Sequence, residues 1–420
     1  MAEIKAFKGM RYTEKAGEIG SLCCPPYDII YGDAAAAYLG MNPYNVIKIE
    51  LPTCQPSDDA YAAAGKLLRE WLETGILQND ENESIYVYEM QFTALGEKKS
   101  VTGFISLVKL EEFAAGIILP HEETLSKAKT DRFNLMNATD CNFSQIYSLY
   151  NDSGEIPALL AEIKKGAPTS AFTDGDGVTH RLWAVSDGAF IEKIANLMSD
   201  KKVYIADGHH RYETALNYRN QGKAGTAAYV PMMLVDMENP GLVVFPTHRI
   251  VRDLPSYDES AILQKCAEYF EIISPLTREE SCAALEEAYN KGEKAFALYS
   301  GGKYVVLKLK DISVMEQFMP EASADLRNLD VSVLHTLILQ RVFGIDKENM
   351  ANQINLTYTR VFNEAISAVD EGRANCSFLL NSTRVSEISG VAAAGEKMPQ
   401  KSTYFYPKLT TGLVMNQIIK

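Results

Sequence analysis

The run Val203-Tyr204-Ile205-Ala206-Asp207-Gly208-His209-His210-Arg211-Tyr212-Glu213 concentrates residue types that handle phosphate and protons. Its apolar start predicts a short strand, and a helix is expected to begin at the histidines. Gly208 permits a backbone turn that side chains resist and lets a ligand approach the main chain closely. The first N–H groups of the helix then point outward with positive partial charge, the outline of a phosphate site. Arg211 adds a planar fork matched to phosphate oxygens, and His209 or His210 can donate to them or move a proton. Asp207 is placed to hold a magnesium ion or to orient a hydroxyl. The same residues also fit a capped strand-to-helix junction with a surface histidine pair and a structural arginine. Zinc is disfavoured, because adjacent histidines point about 100° apart on a helix and Thr214 stands one turn after His210.

A second cluster runs from Leu119 to Arg132. The His121-Glu122 pair offers a general base, and Lys127, Lys129 and Arg132 offer neutralisation of phosphate charge. Standing alone, such a run is more often a solvated, charged helix start. A third cluster spans Gly395 to Lys408. Gly395 and Lys401-Ser402 fall at Walker A spacing, yet Gln400 stands at the second glycine, Pro399 precedes it, and Tyr404-Phe405-Tyr406-Pro407 reads as extended. A P-loop is therefore not expected, while Lys401, Ser402 and Thr403 stay candidates for binding phosphate from an irregular loop. Pro246-Thr247-His248-Arg249 is a fourth, weaker polar cluster at a strand exit. No GxGxxG follows a strand, so an NAD site is not supported, and no GxSxG elbow is present.

The elements that must position these residues alternate in period, which predicts a mixed α and β fold. Ser57 is expected to cap a helix whose Ala64, Leu67, Leu68, Trp71 and Leu72 share one face and which Gly75 stops. Residues 84–90 and 101–108 alternate as paired strands around Leu95-Gly96-Glu97, and 171–185 form a second hairpin through Asp174-Gly175-Asp176-Gly177. Between 258 and 311 the pattern is helix, strand, helix and hairpin, with helices at 259–269 and 279–291 and strands at 296–299 and 304–309. Asp330 is expected to cap an apolar helix through Leu334, Leu337 and Leu339 to Gly344. A helix near 362–370, a strand at 377–380 and an extended stretch at 398–409 complete the chain.

At 420 residues the sequence allows two or three domains and excludes a miniature scaffold that needs disulfides or metal to fold. With 46% hydrophobic and 23% charged residues it is globular rather than disordered. A net charge of −14 argues against broad adhesion to nucleic acid or an anionic membrane, since both reward a basic face. No apolar run approaches the ~20 residues of a membrane helix. Of the seven cysteines only Cys23-Cys24 are close together, so no CxxC pair or disulfide framework is read. With a polar start lacking an apolar h-region, these features lead us to expect a cytoplasmic protein.

Taken together, the landmarks resemble a bacterial and archaeal family known as domain-of-unknown-function family 1015. They are Pro25-Pro26-Tyr27-Asp28, Asn42-Pro43-Tyr44-Asn45-Val46, the Pro120-His121-Glu122 to Asp131-Arg132 run, Asp207 to Arg211, Pro246 to Arg249, Leu329 to His335, and Met398 to Leu409. More distantly, Gly208-x-x-Arg211 is similar to the phosphate-binding signature of the ParB and sulfiredoxin superfamily. Its free serine kinases carry Asp-Gly-His-His-Arg after a strand, Pro-His-Glu upstream and Pro-Lys-Thr-Thr near the C-terminus. Pro120-His121-Glu122, Asp207 to Arg211 and, less closely, Pro399 to Thr403 match these in order. The intervening stretch from Glu122 to Asp207 is longer here, and Gln400 is an extra residue in the last motif. His209 stands where sulfiredoxin needs a cysteine, which excludes peroxiredoxin repair, and the absence of a basic recognition helix disfavours a ParB-like role on DNA.

This resemblance implies a ParB/sulfiredoxin-like nucleotide-binding α/β core with an additional α+β subdomain. The expected division is a core over 1–250, a subdomain over 251–325, and a segment over 326–420 that returns to the core. It implies a phosphotransferase that uses ADP or ATP with magnesium and phosphorylates a small hydroxyl compound, free L-serine first. In that reading Glu122 is the base, Asp207 orients the hydroxyl or the metal, and His210 shares in catalysis. Gly208, His209, Arg211, Lys127, Lys129 and Arg132 hold nucleotide phosphates, and His121, Lys401, Ser402 and Thr403 bind the acceptor. The alternative is a non-catalytic nucleotide- or amino-acid-binding regulator acting through a protein partner. No zinc, NAD, nucleic acid or membrane partner is expected, and a homo-oligomer is compatible with either reading.

Overall fold

The computed structural model describes residues 1–30, 32–55, 59–122 and 126–419, and for 54 and 126–128 the backbone only. The chain divides into two compact units. The first comprises Met1–Pro120, Thr124–Val243 and Phe405–Lys420, and the second His121–Glu123 and Val244–Tyr404.

The first unit is organised by a nine-stranded mixed sheet. From one edge the strands are Ile118–Leu119, Val203–Asp207, Ile146–Tyr150, Tyr229–Asp236, Glu97–Lys109, Ile85–Ala94, Thr179–Val185 and Ser170–Thr173, with Ile4–Lys5 added beside Glu97–Lys109. Both expected hairpins form. Ile85–Ala94 pairs antiparallel with Glu97–Lys109 through a two-residue turn in which Leu95 (φ 53°) and Gly96 (φ 77°) both take left-handed backbone, the twist that closes a tight hairpin. Ile146–Tyr150 is buried at every position, as expected of a strand covered on both faces. One core joins Val87, Phe104, Ile146, Ile205 and Leu234 of the sheet to Ile156, Ile194, Tyr212 and Leu216 of the helices.

A second core of this unit gathers around the helix Ala60–Glu73, which buries Ala64, Leu68 and Trp71. Its cap is Asp59, whose carboxylate accepts from the Ala62 N–H at 3.0 Å; the expected cap, Ser57, lies outside the described residues. An acceptor in this position contributes about 1 kcal/mol.

The second unit holds a six-stranded antiparallel sheet in the order Phe270–Leu276, Lys303–Leu309, Ala295–Ser300, Cys376–Leu379, His248–Val251, Leu356–Thr359. Helices Arg278–Lys291 and Phe362–Asp370 cover it through Leu285, Ala288, Ala365 and Ala368. Strands from both sides of residue 325 share this one sheet, so 251–325 is not a separate body. The return to the first unit begins only at Phe405.

Four local expectations need correction. The first helix of this region stops at Cys266, because Phe270 opens a strand. Asp330 does not cap the following helix: its N-cap is Leu329, and the Asp330 carboxylate pairs with Lys294 at 2.9 Å. The apolar run Leu334–Gln340 is a π-helix rather than a regular α-helix, and Lys401 takes left-handed backbone (φ 57°) within the stretch expected to be extended. No described helix is long and apolar enough to cross a membrane.

Gly103 exposes how closely the first sheet is packed. A Cβ there would lie 2.2 Å from the Leu234 carbonyl oxygen and 2.7 Å from Val235. Backbone must move to admit it, so Gly103→Ala is expected to lower stability by about 1–3 kcal/mol, measured by urea unfolding.

Candidate functional site

The strand Val203–Asp207 pairs with Ile146–Tyr150, and the register slips between Ile205 and Asp207, where the chain leaves the sheet. Gly208 (φ 96°) turns the backbone, and the helix His209–Arg219 begins with the Tyr212 N–H donating to the Gly208 carbonyl. Gly208 has no side chain with which to cap this helix, so the first-turn donors are not closed off by one. Glycine is required here for a second reason. A Cβ would stand 2.9 Å from the Arg211 guanidinium, which folds back over the turn.

Arg211 folds back because Asp207 holds it. Nη2 donates to Asp207 Oδ2 at 2.7 Å, and Nη1 donates to the Gln145 carbonyl. The other carboxylate oxygen, Oδ1, accepts from Lys408 Nζ. Side-chain exposure is only 10–16% across the three groups, so a buried carboxylate is shared between two cations. Burial alone would raise the Asp207 pKa. Lys408, Arg211 and His209 overcome that and hold it well below the ordinary aspartate value. Lys408 lay inside the third sequence cluster but was not among the expected site residues. Nothing local marks a lysine as the partner of an aspartate 201 positions earlier.

The remaining cations of the phosphate set are placed otherwise. Lys129 forms an ion pair with Glu213 at 2.8 Å. Arg132 is buried, bonded to Asp131 at 2.6 Å, to the Glu50 carbonyl at 2.8 Å and, more distantly, to the Glu50 carboxylate, with the Tyr27 ring 4.0 Å from its guanidinium carbon. Arg132 and Arg211 line a shared small cavity of about 30 Å³. Arg132 is thus a structural cation. The Lys127 side chain lies outside the described residues. A broadly basic pocket of Lys127, Lys129, Arg132, Arg211 and Lys401 is not what the chain builds: acidic side chains already neutralise the middle three.

Magnesium fits poorly as a resident ion. Both Asp207 oxygens are engaged by cations, and no group of three His, Cys, Asp or Glu side chains able to hold a metal occurs among the described residues. Asp207 is a clamp for Arg211 and Lys408, not a metal ligand.

In the second unit the His121-Glu122 and Lys401-Thr403 motifs come together. The Lys401 backbone N–H donates to Glu122 Oε1 at 2.7 Å, and His121 Nε2 lies 3.0 Å from Thr403 Oγ1. The Met398 N–H donates to the His121 carbonyl at 2.7 Å and sets the register of the two segments. Lys401 pays for this arrangement with a left-handed backbone that non-glycine residues avoid. Ser402 differs from expectation. It is buried, and its hydroxyl donates to the Pro399 carbonyl at 2.5 Å, so it shapes the loop rather than facing a ligand. His209 is buried and His210 half-buried at the start of the first unit's motif helix.

Arg249, in the weak fourth cluster, is fully buried on the strand His248–Val251. Its Nε donates to His335 Nε2 at 3.3 Å, its guanidinium carbon lies 5.3 Å from the Tyr358 ring centre, and its field reaches Glu122. Burial, then the Arg249 charge, pushes the neighbouring His248 imidazole down to about 4.

The fold and site thus define a mixed α and β protein with a strand-glycine-helix turn locked by a buried carboxylate and a loop that cradles a glutamate. The family model described as "Protein of unknown function (DUF1015)" matches residues 4–332, and the chain belongs to that family. No curated protein matches the chain. Among solved structures it is similar to a conserved hypothetical protein from Pyrococcus furiosus, at 16% identity over 73% of this chain and 92% of that one, with a TM-score of 0.37. A free serine kinase in complex with AMP is similar at 14% identity over 72% and 86%, TM-score 0.37. SbnI with a C-terminal truncation, from Staphylococcus aureus, is similar at 11% identity over 74% and 86%, TM-score 0.37.

Asp207→Asn leaves two buried cations without their shared anion and is expected to cost about 3–5 kcal/mol at neutral pH. Because folding depresses the Asp207 pKa, its contribution is complete above about pH 4 and fades as pH falls toward the folded-state value. The gap between wild type and variant in urea unfolding should therefore shrink as pH falls from about 4 to about 2. A constant gap would show that the carboxylate charge is not what stabilises the turn.

Proposed function

We propose that the protein is a nucleotide-dependent phosphotransferase that phosphorylates a small hydroxyl compound, free L-serine being the first candidate. The observation that supports it most is the joining of His121-Glu122 to Lys401-Thr403. Two segments some 280 residues apart in sequence meet so that a half-buried carboxylate is oriented by the Lys401 N–H through one oxygen. This is the arrangement a general base needs, a carboxylate held in a fixed orientation beside the loop proposed to receive the hydroxyl. The motif order, Pro-His-Glu, then Asp-Gly-His-His-Arg, then a Pro-Gln-Lys-Ser-Thr loop, resembles that of free serine kinases and supports the same assignment.

In this reading Arg211, His209, His210 and the first N–H groups of the motif helix take the phosphates of ADP or ATP. Asp207 and Lys408 keep Arg211 in place. Lys401 and Thr403, with His121 behind Thr403, bind the acceptor. Magnesium accompanying the nucleotide would neutralise phosphate charge, and no residue of this chain is assigned to hold it. The acceptor oxygen forms a bond to the terminal phosphorus as the bond to the nucleotide oxygen breaks. The hydroxyl proton passes to Glu122, and the nucleotide leaves as AMP from ADP or as ADP from ATP. Such a reaction asks for positioning and charge neutralisation more than covalent chemistry.

Incubated with serine, magnesium and either ADP or ATP, the protein should yield O-phosphoserine, detected by mass spectrometry. Glu122→Gln keeps an acceptor for the Lys401 N–H and should slow the reaction about 10²–10⁴-fold while the melting temperature holds. The proposal fails if no small hydroxyl compound is phosphorylated, or if the variant is fully active.

A further inference from the structure

A cavity of about 200 Å³ opens within the second unit beside the Pro399-Gln400 end of the acceptor loop. It is smaller than the roughly 300–1,000 Å³ of sites for drug-sized ligands and matches a small metabolite. One part of its wall is apolar, from Met319, Leu326, Met350 and Pro399. The other part is polar, from Ser332, His335, Thr336, Gln340, Tyr358 and Gln400, with Lys347 and Lys397 as its charged members. Although the whole chain carries a charge of −14, no Asp or Glu is among the described residues that line this cavity.

Three features show that this is a built site and not a packing defect. The Ser332 hydroxyl is buried and has no hydrogen-bond partner among the described residues, a cost normally met by a ligand or water. His335, Thr336 and Gln340 sit on the π-helix Leu334–Gln340, a rare geometry frequently found at functional sites. Behind the wall lies Arg249, fully buried, with Nη2 unpartnered among the described residues. An arginine N–H can only donate, so His335 Nε2 accepts from Arg249 and the ring proton resides on Nδ1. Burial and the Arg249 charge keep that imidazole neutral. His335 is therefore a fixed donor backed by a positive charge.

We propose that this cavity binds a small amphipathic carboxylate, with its carboxyl group among His335, Ser332 and Lys397 and its apolar chain against Met319, Leu326 and Met350. Arg249 is a positioning residue that sets the His335 tautomer and supplies the field. The neutral polar groups and the apolar side chains of the lining select a carboxylate with a hydrocarbon chain over a bare phosphate. Because Gln400 adjoins Lys401, the ligand's role is that of acceptor: a hydroxy acid longer than serine. That role rests on the phosphotransferase reading, whereas the binding does not.

Isothermal titration calorimetry without nucleotide tests the binding, using L-serine, 2-hydroxybutanoate, 2-hydroxyhexanoate, 2-hydroxyhexanamide and inorganic phosphate. Affinity should rise about fourfold per added methylene, the value of burying one such group. The amide should bind at least about tenfold more weakly than its acid. Lys397→Glu should abolish acid binding. Arg249→Met should narrow the acid-to-amide ratio, which a merely structural role would leave unchanged. No binding by any acid, equal binding of acid and amide, tighter binding of phosphate, or unaltered binding in Lys397→Glu would overturn the proposal. Acid binding without phosphorylated product would reject the phosphotransferase and keep the cavity. Phosphorylation of serine with no preference for chain length would do the reverse.

Discussion

The carboxylate of Asp207 ends a strand, faces away from bulk water and is divided between Arg211 and Lys408. Much of the first unit's geometry depends on that division. A buried charge without compensation is costly, so the end of the strand, the first turn of the motif helix and the C-terminal segment must converge on one point. Gly208 is a consequence: with Arg211 drawn back onto Asp207, there is no room for a Cβ at the turn. Farther along, the same C-terminal segment pairs Asn416 with Asn142 and Met415 with Met10, so Lys408 is one anchor of a strap already held by the backbone.

The rest of the unit treats cations in the same manner. Arg132 is enclosed by Glu50, Asp131 and the face of Tyr27, and Lys129 is held by Glu213. Family landmarks that look like chemistry in sequence turn out to be this enclosure. Tyr27 of Pro-Pro-Tyr-Asp covers a guanidinium, and Asn45 binds the Ser21 and Cys23 carbonyls while accepting from the Ile47 N–H. An acidic chain that pairs its interior cations so thoroughly leaves few for a ligand. That makes Arg211, with N–H donors beyond those it has spent, and the backbone donors of the motif helix the principal phosphate groups of this unit.

What sequence could reveal follows the range of the interactions involved. The hairpin at Leu95-Gly96, the amphipathic helix carrying Trp71 and the strand-glycine-helix turn at Gly208 rest on neighbours in the chain, and their period and turn residues announce them. Lys408 with Asp207, and Glu122 with Lys401, span hundreds of residues, so only an ordered match of motifs could suggest that such segments meet. The π-helix was illegible because Leu334, Leu337 and Ile338 keep the i, i+3, i+4 spacing of an ordinary helix, so nothing in the run announces the wider turn. The extent of the second unit was hidden because its sheet takes strands from 248 to 379 across what looked like a boundary at 325. Arg249 ranked only within a weak polar cluster, because an arginine at a strand exit ordinarily marks a surface.

The motif region of the first unit and the surroundings of Arg249 in the second manage charge differently, and the difference bears on where each can respond to a ligand. In the first, each cation of the motif region described above has a carboxylate within hydrogen-bond reach, so binding there adds to a closed network. In the second, Arg249 is buried against an aromatic face and a neutral imidazole, and its Nη2 has no hydrogen-bond partner among the described residues. Proteins tolerate such a charge where something else compensates it for part of the working cycle, and unpaired buried groups cluster at sites that bind. An anion in the adjoining cavity would be attracted by the buried Arg249 charge. The gain on binding would thus come from relieving a cost already built into the fold, which favours a ligand that is small, singly charged and otherwise apolar.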